Sequence, residues 1–372
     1  MEAPGRIIVR DGHPYLFFSG YSYLGMSHVP AFIDLLKEGL DRYGALFPSS
    51  RISNTPLALY GHLEHYLAQL TSSEAAVTFS SGFLACQAIG QLLGGMAEVL
   101  VAPGTHPATG LRSTADPPAG AGADAYDAWC AFVLEYTSIS PAREFLLVVD
   151  SVAPLEGVIH DFMFLQDLHR NKRFTVLIDD SHGIGWMGEH GEGIPGMLMH
   201  LPHIEYVLVY SLSKALHVEG GAVSCSRGMA DRLRRSPFYT AATAMAPAFA
   251  HALLQAGPLY EVQRTRLAHN VAVLTRLAGE AGLLGVGAVA GGDAGATRGG
   301  GALLEATAIP VFLCGAGGVG AYLEGRDILI SSFAYPDPEG FPVERVVLSA
   351  LHERDDLKTL VQRLLLFPTS PH

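Results

Sequence analysis

Val176-Leu177-Ile178-Asp179-Asp180-Ser181-His182-Gly183 is the stretch whose reading decides the fold of this chain. The short apolar run over residues 175–178 has the texture of a strand buried on both faces of a parallel sheet. Asp179 then falls at the C-terminal end of that strand, with His182 three residues on. Doubly wound sheets bind their ligands beyond such strand ends. A carboxylate there can hold a cationic ring nitrogen, and a histidine can donate to a neighbouring oxygen. The plainer alternative is an aspartate capping a turn beside a surface histidine.

Outward from this stretch, short apolar runs alternate with helical periodicity. Residues 76–79, 99–101, 145–149 and 206–210 read as strands, and 220–225 as a further one. Residues 29–43, 57–70 and 84–93 carry apolar side chains at helical spacing. This alternation predicts an α/β fold with a mostly parallel sheet covered by helices on both faces. The opening residues 6–25 read as a hairpin turning at Asp11-Gly12 and an irregular segment. Beyond Pro247 the texture changes. Residues 248–280 read as one long helix, with a break near Gly257-Pro258, and 281–302 as a Gly/Ala-rich loop with a weak strand. Strands over 309–314, 328–331 and 346–351 and a helix over 355–366 then suggest a small α+β domain. The expected organisation is an N-terminal arm over 1–30, a large domain over 31–247, and a long helix with a small domain over 248–372. Residues 117–124 read as a surface loop.

Composition narrows the function classes. The chain has 372 residues, 49% hydrophobic and 16% charged, enough to bury a sizeable core and too apolar for a disordered protein. Its formal net charge of -12 argues against nonspecific binding to nucleic acid or to an anionic membrane. The mean hydropathy of +0.26 is spread along the chain, and no apolar stretch reaches the ~20 residues of a membrane span. The first residues lack the pattern of a signal peptide, so a cytoplasmic enzyme is expected. Cys86, Cys130, Cys225 and Cys314 form no CxxC pair and read as buried free thiols.

Lysine is scarce, with Lys37, Lys172, Lys214 and Lys358 against twenty arginines. Lys214 follows the strand-like Val209-Tyr210-Ser211-Leu212-Ser213, in a place where a desolvated amine can form a Schiff base. The usual fate of a lysine, snorkelling to solvent, is the competing reading. Ser211, three residues earlier, can reach a phosphate. Ser80-Ser81-Gly82-Phe83 joins a strand to a helix, where small residues let backbone N–H groups approach an anion and the macrodipole favours it. Phosphate at a helix start, a carboxylate for a pyridine nitrogen and a lysine for an aldehyde together specify pyridoxal 5′-phosphate (PLP).

With these residues in view, the chain resembles the α-oxoamine synthases, PLP-dependent enzymes of fold type I. The likeness runs through YSYLG (21–25), LEHYLAQL (63–70), SSGFLACQA (80–88), THPA (105–108), DDSHGIGWMGEHGEG (179–193), SLSKALHVEGGAVSCS (211–226), MAPA (245–248) and ERVVLSALHE (344–353). DDSHGIG is nearest the 8-amino-7-oxononanoate synthase and 2-amino-3-ketobutyrate ligase branches. The resemblance implies condensation of a small amino acid with an acyl-CoA or other acyl thioester, with loss of carbon dioxide. It assigns Gly82 and Phe83 to the phosphate, with Ser81 opening that turn. His106 stacks on the pyridine ring, Asp179 pairs with the ring nitrogen, and His182 with the phenolic oxygen. Ser211 is a phosphate hydroxyl and Lys214 the Schiff-base lysine. Thr243 reaches the neighbouring subunit's phosphate, which implies a homodimer with shared active sites. Arg345 holds the amino-acid carboxylate. Pro154, Tyr60, Ser22 and Cys86 depart from the family's usual serine, histidine, asparagine and asparagine, and FPSSRISN (47–54) lacks its usual glycines.

Other readings stay open. An aminotransferase of the same fold and a catalytically silent subunit of a synthase share these motifs. Gly315-Ala316-Gly317-Gly318-Val319-Gly320 fits GxGxxG, but the next strand follows within about a dozen residues and no acid ends it, unlike a dinucleotide-binding unit. The spacing of His182, His190, His200 and His203 matches no metal-ligand pattern, and the last three read as surface residues.

Overall fold

The computed structural model describes residues 5–96, 98–116, 123–153, 155–285, 303–334, 339–340 and 342–368. They divide into two compact units. One comprises Pro30–Ala153 and Ile159–Leu259; the other comprises Met1–Val29, Pro154–Val158 and Tyr260–His372.

The larger unit is built on six strands in the order Ala75–Phe79, Gly221–Cys225, Ile204–Ser211, Arg173–Asp179, Glu144–Asp150, Glu98–Val101. The last four run parallel, and Gly221–Cys225 is antiparallel to both of its neighbours. The mostly parallel sheet read from the sequence is therefore present. Its strands are buried on both faces, as continuous runs such as FLLVVD require. Val77, Leu146, Val148, Leu177, Val207, Val209 and Val223 pack with Ala85 and Ile89 of the helix Gly82–Leu93. Each such aliphatic side chain contributes about 1.5–3 kcal/mol by leaving water. The register sets up a site. Asp150 lies opposite Asp179, Asp179 opposite Val209, and Ser211 opposite Gly221, which faces Phe79 on its other side. Two acids, a serine and a strand-to-helix turn thus share one edge of the sheet.

The smaller unit carries a second sheet, in the order Ile7–Arg10, His13–Phe18, Ile328–Phe333, Val343–Val347, Val311–Cys314, Leu304–Ala306. All pairs are antiparallel except His13–Phe18 with Ile328–Phe333. The N-terminal hairpin is therefore not a separate arm, because its second strand hydrogen-bonds into this sheet. Nor does the helix Pro247–Gln255 belong with the C-terminal residues. It packs in the larger unit against Pro30–Tyr43, with His251 Nε2 3.3 Å from Glu38.

The break expected near Gly257-Pro258 is present, and the stretch forms two helices, Pro247–Gln255 and Gly257–Glu280. Pro258 has no N–H to continue the first ladder and restricts the residue before it. The strand expected over 346–351 is Val343–Val347 instead. Past it the chain turns, with Ser349 N–H donating to His352 Nδ1 at 3.0 Å and His352 N–H to Ser349 O at 3.2 Å. The helix Ala123–Ile139 was not anticipated and begins inside the stretch read as a loop, of which 117–122 lie outside the described residues. Most of the Gly/Ala-rich stretch 281–302, and Pro154, also lie outside them. Among the described residues no helix is long and apolar enough to cross a membrane. Cys86 and Cys225 are buried, whereas Cys130 and Cys314 are half-buried, and all four are free thiols.

Candidate active site

Ser81 caps the helix Gly82–Leu93 by accepting from Leu84 N–H at 3.1 Å, and its carbonyl accepts from Ala85. Of the four first-turn N–H groups, the other two belong to Gly82 and Phe83. Gly82 has no substitute here: a Cβ would come within 2.6 Å of Ser211 Cβ. The helix start is pressed against the end of the strand Ile204–Ser211, whose Ser211 Oγ lies 2.7 Å from Ser213 Oγ. A helix N-terminus with hydroxyls beside it is a site for phosphate.

The second aspartate of the DDSHGIG turn ties it to Ser151 and to the backbone at Ile194. Asp180 is fully buried and accepts from Ser151 Oγ at 2.5 Å and from Ile194 N–H at 3.0 Å. Burial, against the pull of these donors, lifts its pKa to about 7. Gly193 closes over it, since a Cβ there would lie 1.9 Å from Asp180 Oδ2 and its φ of +77° suits glycine. Ser181 Oγ accepts from Ser211 N–H at 2.9 Å, joining this turn to the end of the strand Ile204–Ser211. Asp179 is left at the strand end, its Oδ1 accepting from Ser181 N–H at 3.0 Å and its Oδ2 from the buried Cys86 thiol at 3.7 Å. His182 is half-buried on the same turn, and its carbonyl accepts from the Trp186 indole.

Lys214 lies among these groups. Burial pushes its ammonium pKa down, with Asp179, Asp150 and Cys86 pulling partly the other way. His106 feels the same neighbours: burial lowers its pKa first, Asp179 raises it, and Lys214 lowers it. Its backbone N–H donates to Asp150 Oδ2 at 3.1 Å, and its Nδ1 accepts from Ala108 N–H at 3.2 Å. The neutral ring therefore carries its proton on Nε2. Lys214, Asp179, His106, Asp150 and Cys86 form one electrostatic cluster at the strand ends.

Thr243 is exposed on the surface of the larger unit. Arg345 belongs to the smaller unit, on Val343–Val347, where its Nη2 donates to Ser331 Oγ at 3.4 Å and burial lowers its pKa despite Tyr23 and Glu156. Tyr60, where the family has a histidine, is buried, donates to Met245 O at 2.6 Å and stacks on the Arg51 guanidinium. The histidine reading needs one correction. His190 and His200 are exposed, but His203 is buried edge-on to Phe174, where its carbonyl starts the parallel pairing by accepting from Phe174 N–H at 2.9 Å.

Sequence reasoning passed over Asp150 and Asp180, and noted Cys86 as a buried free thiol and a departure from the family without giving it a place in the site. Asp150 carried a usable signal, since the apolar run 145–149 ends in an acid just as 175–178 does. Which of two consecutive aspartates is buried is a matter of tertiary packing.

Residues 133–288 match the aminotransferase class I and II family. The chain is 30% identical to 8-amino-7-oxononanoate synthase of Cupriavidus necator, over 97% of this chain and 90% of that protein. Among solved structures it resembles serine palmitoyltransferase from S. paucimobilis holding PLP and myriocin, with TM-score 0.75, 18% identity, and 96% and 88% of the two chains covered. It also resembles 8-amino-7-oxononanoate synthase from Francisella tularensis, with TM-score 0.65, 19% identity, and 94% and 97% covered.

Proposed function

The chain belongs to the 8-amino-7-oxononanoate synthase family of α-oxoamine synthases, and from that premise we propose how its own residues perform a PLP-dependent, decarboxylating condensation. A small amino acid and an acyl thioester, such as an acyl-CoA, are the substrates. The observation that carries the assignment of residues is the cluster of Lys214, Asp179 and His106 at the strand ends, beside a helix start held open by Gly82.

The donor set fits the cofactor. Gly82 and Phe83 N–H groups with the Ser211 hydroxyl would hold its phosphate. Asp179 would pair with the protonated ring nitrogen, since a carboxylate favours a cation where an amide cannot. His106 would cover one face of the ring, and His182 would donate to the phenolic oxygen. When bound, PLP supplies a conjugated cation that accepts the electrons left at the amino acid's Cα. Lys214 would hold the aldehyde carbon until the amino acid displaces it. Its desolvated amine then gives up its proton more readily than an exposed lysine and becomes the base that takes the Cα proton. Arg345 is assigned the amino acid's carboxylate, which a planar guanidinium can grip through two parallel bonds. The Cα carbon attacks the thioester carbonyl, the thiol leaves, and carbon dioxide follows.

Thr243, exposed in one chain, supports the reading of a homodimer that lends this hydroxyl across to the neighbouring site. A cytoplasmic location accords with four unpaired cysteines.

The test supplies carboxyl-labelled amino acid with an acyl-CoA to the holoenzyme. Labelled carbon dioxide and free thiol in equal amounts are expected. A keto acid without either would move the chain to the aminotransferases. Cofactor bound with no product, or none bound, would make it a silent subunit.

A further inference from the structure

The helix Gly82–Leu93 touches three parts of the site at once, from its first two turns. Gly82 abuts Ser211, Cys86 contacts Asp179, and Gln87 Nε2 donates to Ala108 O at 2.5 Å, beside His106. Residues four apart on a helix lie on one face, so Gly82 and Cys86 set the phosphate turn and the acid at a fixed separation. Cys86 is only 3% exposed, with its Sγ 3.7 Å from Asp179 Oδ2. Resting on the reading of Asp179 given above, we propose that Cys86 is a positioning residue that tunes how strongly Asp179 holds a proton on the cofactor's ring nitrogen.

The argument is one of donor strength. A carboxylate's affinity for a proton falls with every good hydrogen bond it accepts, because such bonds favour the charged form. Asp179 Oδ1 already receives the Ser181 N–H at 3.0 Å. At Oδ2 a hydroxyl or an amide would add a second firm bond. A thiol is a weak donor, and here it is a distant one. It still occupies the place beside Oδ2 where a stronger donor would stand. Burial and the nearby Asp179 and Asp150 charges keep the thiol protonated, so it adds no competing anion. The result is an acid fixed in direction that accepts one firm hydrogen bond rather than two, set to pair with a ring that works as an electron sink only while its nitrogen stays protonated.

The test compares Cys86→Ser and Cys86→Ala holoenzymes with the parent, all loaded with PLP carrying 15N in the ring. Serine, a stronger donor, should move the nitrogen resonance toward its unprotonated position and slow solvent deuterium exchange at the amino acid's Cα by ~3–10-fold. Alanine, with no donor, should move the resonance the other way. PLP affinity should change less than ~3-fold in both. Resonances that stay put, or move the same way in both variants, would overturn the proposal. So would exchange rates that simply follow the loss of thermal stability. Asp179→Asn is measured alongside. If its exchange is normal, the reading of Asp179 fails and this inference with it. If it slows exchange by ~100-fold while serine at 86 changes nothing, only the role of Cys86 falls.

Discussion

Two junctions in this molecule have the same outline, and they differ in what faces the helix. In the larger unit, Ala75–Phe79 runs through Ser80-Ser81 into the helix Gly82–Leu93. In the smaller, Val311–Cys314 runs through Gly315-Ala316-Gly317-Gly318 into the helix Val319–Glu324. The second has the richer glycine motif. Yet its helix start is filled by the chain's own Glu344, whose carboxylate accepts from Val319 N–H at 2.8 Å and Gly320 N–H at 3.1 Å, and from Ser332 Oγ at 3.1 Å. The first junction is capped by a neutral serine and bordered by Ser211, with Lys214, Asp179 and His106 at the neighbouring strand ends. Glycines permit an anion to approach; the charges around them decide whether that anion is a ligand or a side chain.

The contrast can be broken most directly at Lys214. Lys214→Ala should lose the imine absorbance near 420 nm and cut turnover by ~10³-fold or more, the scale of a lost general base and covalent anchor together. Borohydride reduction followed by peptide mapping checks the anchor: a tag on any lysine but Lys214 ends the assignment. A smaller effect separates the two turns themselves. Gly82→Ala, whose Cβ would meet Ser211, should weaken PLP binding by ~10–100-fold in a fluorescence titration. Gly318→Ala has φ +83° but no atom near its Cβ, and should cost ~1 kcal/mol of stability with PLP affinity unchanged. Equal affinities in these two variants would erase the distinction. Smallest of all, Glu344→Gln removes the charge at the second helix start. A loss of ~0.5–1 kcal/mol by thermal melting is expected, with normal PLP affinity. A fall in affinity there would show that the smaller unit's junction serves the cofactor after all.

Where a fold is local, it was readable. The helices Pro30–Tyr43 and Ala58–Leu70 and the parallel strands announce themselves by periodicity, because one buried stripe or a continuous apolar run needs no partner to be recognised. The helix Ala123–Ile139 escaped because the glycines and prolines before it hide its start. Gly221–Cys225 reads as a strand, but its antiparallel direction depends on how the chain turns between Ser211 and Gly221. In the site, Asp179, His182, Ser211 and Lys214 are visible as chemistry at strand ends. Asp180 and Cys86 act through contacts with residues about 30 and 90 positions away, and no spacing in the sequence reports those.

The parallel pairing of His13–Phe18 with Ile328–Phe333 has a consequence for biosynthesis. Leu16 and its partner Ile328 are about 300 residues apart, so at ~5–20 residues per second the first waits roughly 15–60 s on the ribosome for the second. An isolated hairpin is marginal in water, so Leu16-Phe17-Phe18 spends that interval as an apolar strand with an open edge. Pro14, which lacks an N–H, blunts one end of that edge. The nascent chain is therefore most exposed to mispairing and to chaperones at its first strands, long after the larger unit's sheet has been synthesised.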